Sequence, residues 1–307
     1  MKLDKGRSLK GIFNITVTPF ATNGDIDFAA LATFIERIIG FGYDGLLIGG
    51  TYGEFPAMSP AERAELFRHS IQFAGGKVSV MLCTAHSDTR VAWELTTLAS
   101  ELGGYSMVTA PYVSEVTDDH IVEYFRWIAP AAKSGLVIYN APGIGITLTA
   151  RLIERLAKID EVVGLKQGDL TATTIDELAN RLSGKIKLFC ASDLAFLGPA
   201  MAGFDGLSST NSCAFPELIL ATYRAVENGD ARTAIRLHRT WFRFRELARQ
   251  YGQPQTVKAA MVHRGWGNGN VRQPLQKLTA AQTTEVAAVT KEILVATRTP
   301  AMFAVNG

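Results

Sequence analysis

Few architectures accommodate what the first two-thirds of this chain repeats. A short, nearly all-apolar run of strand character is followed by an amphipathic helical segment, and the pattern recurs around eight strand runs. These runs fall at 11–17, 45–48, 78–83, 106–109, 135–139, 163–166, 187–190 and 206–209. Helical periodicity is clear at 28–40, 60–74, 91–102, 118–132, 150–157 and 174–182. Strands that are apolar throughout, rather than alternating, belong to parallel sheets covered on both faces. Eight of them in strand–helix alternation predict a (β/α)8 TIM barrel of the α/β class. After Phe215 the alternation stops. Segments 216–227, 231–250, 256–263 and 280–296 read as helices with no strand between them, interrupted at 252–254 and 265–274. We place a boundary near Asn228, with a catalytic barrel over 1–228 and a C-terminal helical extension over 229–307 packed on it.

Composition narrows the function. Hydrophobic residues make up 47% of the chain and charged residues 20%, as in a globular protein with a large core. The formal net charge of +2, without a basic cluster interleaved with aromatics, argues against nucleic acid. No apolar stretch is long enough to span a bilayer, and the polar start over 1–10 does not read as a signal peptide, so a cytoplasmic protein is expected. Cys83, Cys190 and Cys213 are widely spaced, and the five histidines show no ligand spacing. Neither a disulfide framework nor a metal site is expected, and no cofactor is called for.

In such barrels the chemistry sits at the C-terminal ends of the strands. The second strand ends in Gly49-Gly50-Thr51-Tyr52-Gly53-Glu54, the fourth in Ala110-Pro111-Tyr112, the fifth in Tyr139 and the sixth in Lys166. The seventh leads to Ser192-Asp193, and the eighth carries Ser208. Lys166 ends a buried apolar run with no acid beside it. Desolvation favours its neutral amine, which attacks a ketone to form a Schiff base, pointing to a small 2-oxo acid as the partner. The alternative is a lysine snorkelling to the surface from a strand end. Tyr139 reaches the same cavity, where a phenol relays protons, although a tyrosine also closes barrels by packing alone. The Gly-rich turn from Gly49 to Glu54 offers backbone N–H groups to a carboxylate, with the Thr51 hydroxyl left for Tyr139 or the substrate. Glu54 reads as a structural acid. Tyr52, Gly50, Ser208, Tyr112 and Asp193 are the candidate substrate-binding residues.

Taken in order, these residues resemble the dihydrodipicolinate synthase / N-acetylneuraminate lyase family of Schiff-base lyases. Further matching stretches are Thr18-Pro19-Phe20, Ser59-Pro60-Ala61-Glu62, Tyr139-Asn140-Ala141-Pro142, Gly164-Leu165-Lys166, Val257-Lys258-Ala259-Ala260 and Val271-Arg272-Gln273-Pro274-Leu275. The resemblance implies Lys166 as the Schiff-base lysine and Tyr139 as the proton relay. It also implies that Thr51 and the Tyr52 backbone hold a pyruvyl carboxylate, and that the assembly is a homotetramer built as a dimer of dimers.

The departures bear on substrate. Tyr52 replaces the family's usual second hydroxyl residue, and Val113 stands where lysine-pathway synthases carry a second tyrosine. The stretch 143–146 offers no cation after Tyr-Asn-x-Pro. Where sialic acid lyases carry a polar residue two positions past the lysine, this chain has Gly168. The expectation is a Schiff-base lyase of pyruvate or a 2-keto-3-deoxy sugar acid, acting by aldol cleavage, aldol addition or dehydration, and not a genuine dihydrodipicolinate synthase. Two alternatives stand: a deaminase or hydratase of a cyclic imine or unsaturated 2-oxo acid, and a relative that only binds 2-oxo acids.

Overall fold

The computed structural model describes residues 5–298. The first residues of the polar start and the last nine of the extension lie outside them. Eight parallel strands close into one barrel in sequence order: β1 (Gly11–Ile15), β2 (Gly45–Ile48), β3 (Ser79–Cys83), β4 (Tyr105–Val108), β5 (Leu136–Asn140), β6 (Val162–Gln167), β7 (Lys187–Cys190) and β8 (Gly206–Ser209). The helices after successive strands are α1 (Phe28–Phe41), α2 (Pro60–Ala74), α3 (Thr89–Glu101), α4 (Asp118–Ile128), α5 (Ala150–Leu156), α6 (Ala172–Leu182), α7 (Leu197–Met201) and α8 (Pro216–Glu227). Four more come after them: α9 (Ala231–Thr240), α10 (Phe242–Tyr251), α11 (Gln253–His263) and α12 (Ala280–Arg298).

Two apolar layers hold the barrel. Outward-facing strand residues such as Leu46, Leu82, Ile138 and Leu165 join the helices in one core. Inward-facing Phe13, Leu47, Met81, Met107, Val137 and Phe189 form a second. Large residues face small ones across the interior. Phe13 and Phe189 meet edge to face at 5.1 Å. A Cβ on Gly45 would lie 2.2 Å from the Phe13 ring, and one on Gly206 would lie 2.5 Å from Phe189. This interlock fills the barrel floor and leaves only its mouth available for chemistry.

The helical segment expected over 231–250 is two helices. They break at Trp241 (φ −102°, ψ 12°), which is buried against His238, ring to ring at 5.0 Å. The break turns the indole into the core, with its Nε1 left unpartnered among the described residues. Gly252 (φ 98°) caps the start of α11, whose first turn holds Gln253 and Pro254, so the expected break narrows to a single residue. α7 spans five residues, too few to show a period in the sequence.

Candidate active site

Lys166 and Tyr139 are direct partners in the β5–β6 register, so both side chains point into the barrel at the same height. The Lys166 amine lies 3.9 Å from the centroid of the Tyr139 ring. The lysine is 3% exposed, and among the described residues no acid pairs with it. Desolvation draws its pKa down to about 8, opposed in part by the nearby Tyr52, Cys83 and Cys190. Roughly a tenth of such an amine is neutral at pH 7, against roughly one part in 3,000 for a free lysine. Tyr139 moves the other way, because burial pushes its phenol well above the usual range. Its hydroxyl shares a 3.0 Å hydrogen bond with Thr51 Oγ1, with either oxygen able to donate.

Thr51 opens a 3-10 turn, Thr51–Gly53, directly after β2. Gly49 (φ 62°) makes the chain reverse in the left-handed region. Gly50 caps the turn, and its carbonyl accepts from the Gly53 and Phe55 N–H groups. The N–H groups of Thr51 and Tyr52 have no partner among the described residues, which leaves two donors for an anion beside the lysine.

The turn is anchored from the far end of the chain. Glu54 ends it with φ 62°, a conformation costly to a residue with a Cβ. Its buried carboxylate accepts from Lys258 Nζ of α11 at 2.5 Å and from the Arg272 backbone N–H at 2.9 Å. Lys258 also donates to the Asn270 carbonyl at 2.7 Å. The Arg272 guanidinium reaches Glu62 at 2.5 Å and the carbonyls of Gly24 and Ala57. Phe20 sits against both cations, 4.7 Å from Lys258 and 4.5 Å from Arg272, while Asn268 and Asn270 donate to its carbonyl. Glu54 is thus a structural acid. Lys258, Asn270 and Arg272 carry no role that the sequence alone assigns. A buried lysine in an otherwise apolar helical stretch, Val257-Lys258-Ala259-Ala260, is the available signal.

The remaining candidates divide. Ser208 faces inward, in register with Phe13, and its hydroxyl donates to the Cys190 carbonyl at 3.2 Å. Tyr52 packs its ring on the inner core together with Ala141 and Ile144. Tyr112 lies on the loop after β4, 43% exposed and beside Gly145. Asp193 does not join them. Its carboxylate accepts from Ser209 at 2.5 Å and from Asn211 at 2.9 Å, bracing the loops after β7 and β8. Gln167, one residue past the lysine, faces outward and bonds Asn140 and the Asp169 carbonyl. At Gly168 a Cβ would lie 2.7 Å from the Asn140 carbonyl, so no side chain fits there.

A lysine–tyrosine–threonine cluster at the mouth of an eightfold barrel narrows the kinship, and comparison with known proteins decides it. The Dihydrodipicolinate synthetase family pattern matches residues 8–293. The chain belongs to that family. As a member it is a class I Schiff-base lyase or aldolase. The 4-hydroxy-tetrahydrodipicolinate synthase of Ligilactobacillus salivarius is 27% identical over 279 residues, covering 90% of this chain and 96% of that one. The crystal structure of dihydrodipicolinate synthase from Aquifex aeolicus superimposes with a TM-score of 0.88 at 25% identity, covering 92% and 97%. YagE, a prophage protein of E. coli K12 solved in complex with pyruvate, gives 0.87 at 23% identity over 93% and 98%, a likeness of fold alone. No helix among the described residues is long and apolar enough to cross a membrane.

Proposed function

We propose that this family member forms an imine between Lys166 and pyruvate or a 2-keto-3-deoxy sugar acid and catalyses aldol cleavage, aldol addition or dehydration. The observation that carries the reading is the Lys166 amine, desolvated, unpaired with any acid among the described residues and 3.9 Å from the Tyr139 ring. The neutral amine attacks the keto carbon, and the carbinolamine loses its oxygen as water to give an iminium. The iminium withdraws the C2 electrons, so the proton on C3 leaves and an enamine forms. Its C3 then adds to an aldehyde. In the reverse direction the C3–C4 bond breaks, and in dehydration a leaving group departs from the enamine. Water finally hydrolyses the iminium and frees Lys166.

Tyr139, held by Thr51, gives and takes the protons of these steps. The free N–H groups of Thr51 and Tyr52 receive the carboxylate. The absence of a cation at Ile144 and its neighbours favours a substrate other than the charged aldehyde of lysine biosynthesis. The proposed assembly is a homotetramer, to which the exposed Tyr112 and Val113 beside the mouth would contribute contacts, and the proposed location is the cytoplasm.

Incubation with pyruvate and borohydride followed by peptide mass spectrometry tests the reading. A reduced pyruvyl adduct on Lys166 is expected. Its absence from folded protein removes the proposal.

A further inference from the structure

We infer that the site takes a 2-oxo acid whose distal chain is uncharged, and turns away one that carries a second carboxylate or a phosphate. The inference rests on the imine reading above and names the substrate class for it. Eight segments run from the strand ends to the following helices: 16–27, 49–59, 84–88, 109–117, 141–149, 168–171, 191–196 and 210–215. These segments frame the mouth of the barrel, and together they contain not one lysine or arginine. Among the described residues, the cation aimed into the site is Lys166, and its nitrogen becomes that of the imine.

Four nearby cations from other elements are already engaged. The Arg63 guanidinium, buried beneath Phe55, donates to the carbonyls of Ala85 and Cys83. Lys258 and Arg272 are tied to Glu54 and Glu62, and Arg264 is tied to Glu217. The one histidine in these loops, His86, accepts the Asp88 N–H at Nδ1 (2.9 Å), which leaves Nε2 as its one remaining polar atom. Charge in the loops is instead negative, with Glu115 exposed after β4 and Asp169 after β6. Above the lysine, Tyr52, Ala141 and Ile144 pack on the inner core and present an apolar wall.

A 2-oxo acid therefore meets one anion seat, the Thr51 and Tyr52 N–H groups, and that seat takes the carboxylate beside the reacting ketone. A second anion would be desolvated against Ile144 and the Tyr52 ring without a countercharge, which is costly. An uncharged chain in the same place gains from burial instead.

Trapping tests this without a known natural substrate. The Lys166–C2 bond forms, the keto oxygen leaves as water, and hydride from borohydride fixes the iminium as a secondary amine. Pyruvate, 2-oxohexanoate and 2-oxoadipate are compared at equal concentration; the last two share a chain length and differ in the distal carboxylate. Pyruvate should label Lys166, and 2-oxohexanoate should label it at least tenfold faster than 2-oxoadipate. Ile144→Arg should narrow that ratio severalfold. Equal or faster labelling by 2-oxoadipate in the wild-type protein overturns the selectivity alone. So does labelling by pyruvate with neither longer acid. No label from pyruvate overturns the imine reading, and this inference with it.

Discussion

Lys166 carries a tension between stability and use. Burial holds its pKa near 8, below the 10.5 of a free lysine, so the folded protein prefers the neutral amine. Between those values the unfolded chain binds the extra proton, and stability therefore rises with pH across that window. Below about pH 8 the site bears the full cost. Replacing Lys166 by Met should raise stability at pH 7 by up to about 3 kcal/mol, while abolishing imine formation. The gain should shrink as pH climbs from 8 to 10.5, and thermal melts of both proteins across that range will show it. A gain independent of pH would mean that the amine is not desolvated. Reactivity has the matching profile, with borohydride trapping of pyruvate rising with pH and levelling above about 8. Tyr139→Phe separates two steps. Trapping should survive in part, whereas exchange of the pyruvate methyl protons into deuterated water, tracked by NMR, should fall at least ~100-fold. Equal loss of both would deny Tyr139 a relay role. The inward placement of Lys166 and Tyr139 at the barrel mouth was legible in the sequence because each ends an apolar run whose register is set by the barrel. The side chain of Asp193 was not, since its engagement with Ser209 and Asn211 depends on contacts between two loops.

At the level of elements, the turn that presents Thr51 is held through Glu54 at its end. Glu54 brings a buried carboxylate and a left-handed backbone to the close of the 3-10 turn, and Lys258 neutralises it. Lys258→Met leaves that carboxylate buried and uncompensated and should cost roughly 3–5 kcal/mol. Adding Glu54→Gln removes the orphaned charge and should recover much of the loss, a coupling that urea denaturation of the two single variants and the double variant will measure. Strict additivity would show that the pair does not act as a unit. Local patterns were easy to read where local chemistry decides the outcome. The Ser59/Glu62 capping box forms as expected, with Pro60 in the first turn of α2. The central strands fall within a residue or two of their expected ends. The break between α9 and α10 was hidden, because Trp241 interrupts the helix only once a pocket exists to bury it.

Over the whole molecule, the stretches that made the family visible in the sequence do not all gather at the reacting lysine. Thr18-Pro19-Phe20, the turn ending in Glu54, the Lys258 helix and the Val271–Arg272 stretch converge on one buried knot behind it, joining residues 204 positions apart. We therefore expect that the barrel strands alone are not a self-sufficient unit. A fragment ending at Asn228 keeps all eight strands but loses Lys258, Asn270 and Arg272. It leaves Glu54 in a left-handed turn with no countercharge, and it exposes the face of α8 and Phe215 that α9 and α10 cover. We expect this fragment to be soluble poorly or not at all, and to lack a cooperative thermal transition. Co-expression with residues 229–307 as a separate chain should restore the transition and the Lys166 label together, because the knot needs proximity rather than a continuous backbone. A lone 1–228 fragment that melts cooperatively near the full-length temperature would refute this dependence. In that case the extension would serve only to place the turn, and the label on Lys166 would be lost while the fold remained.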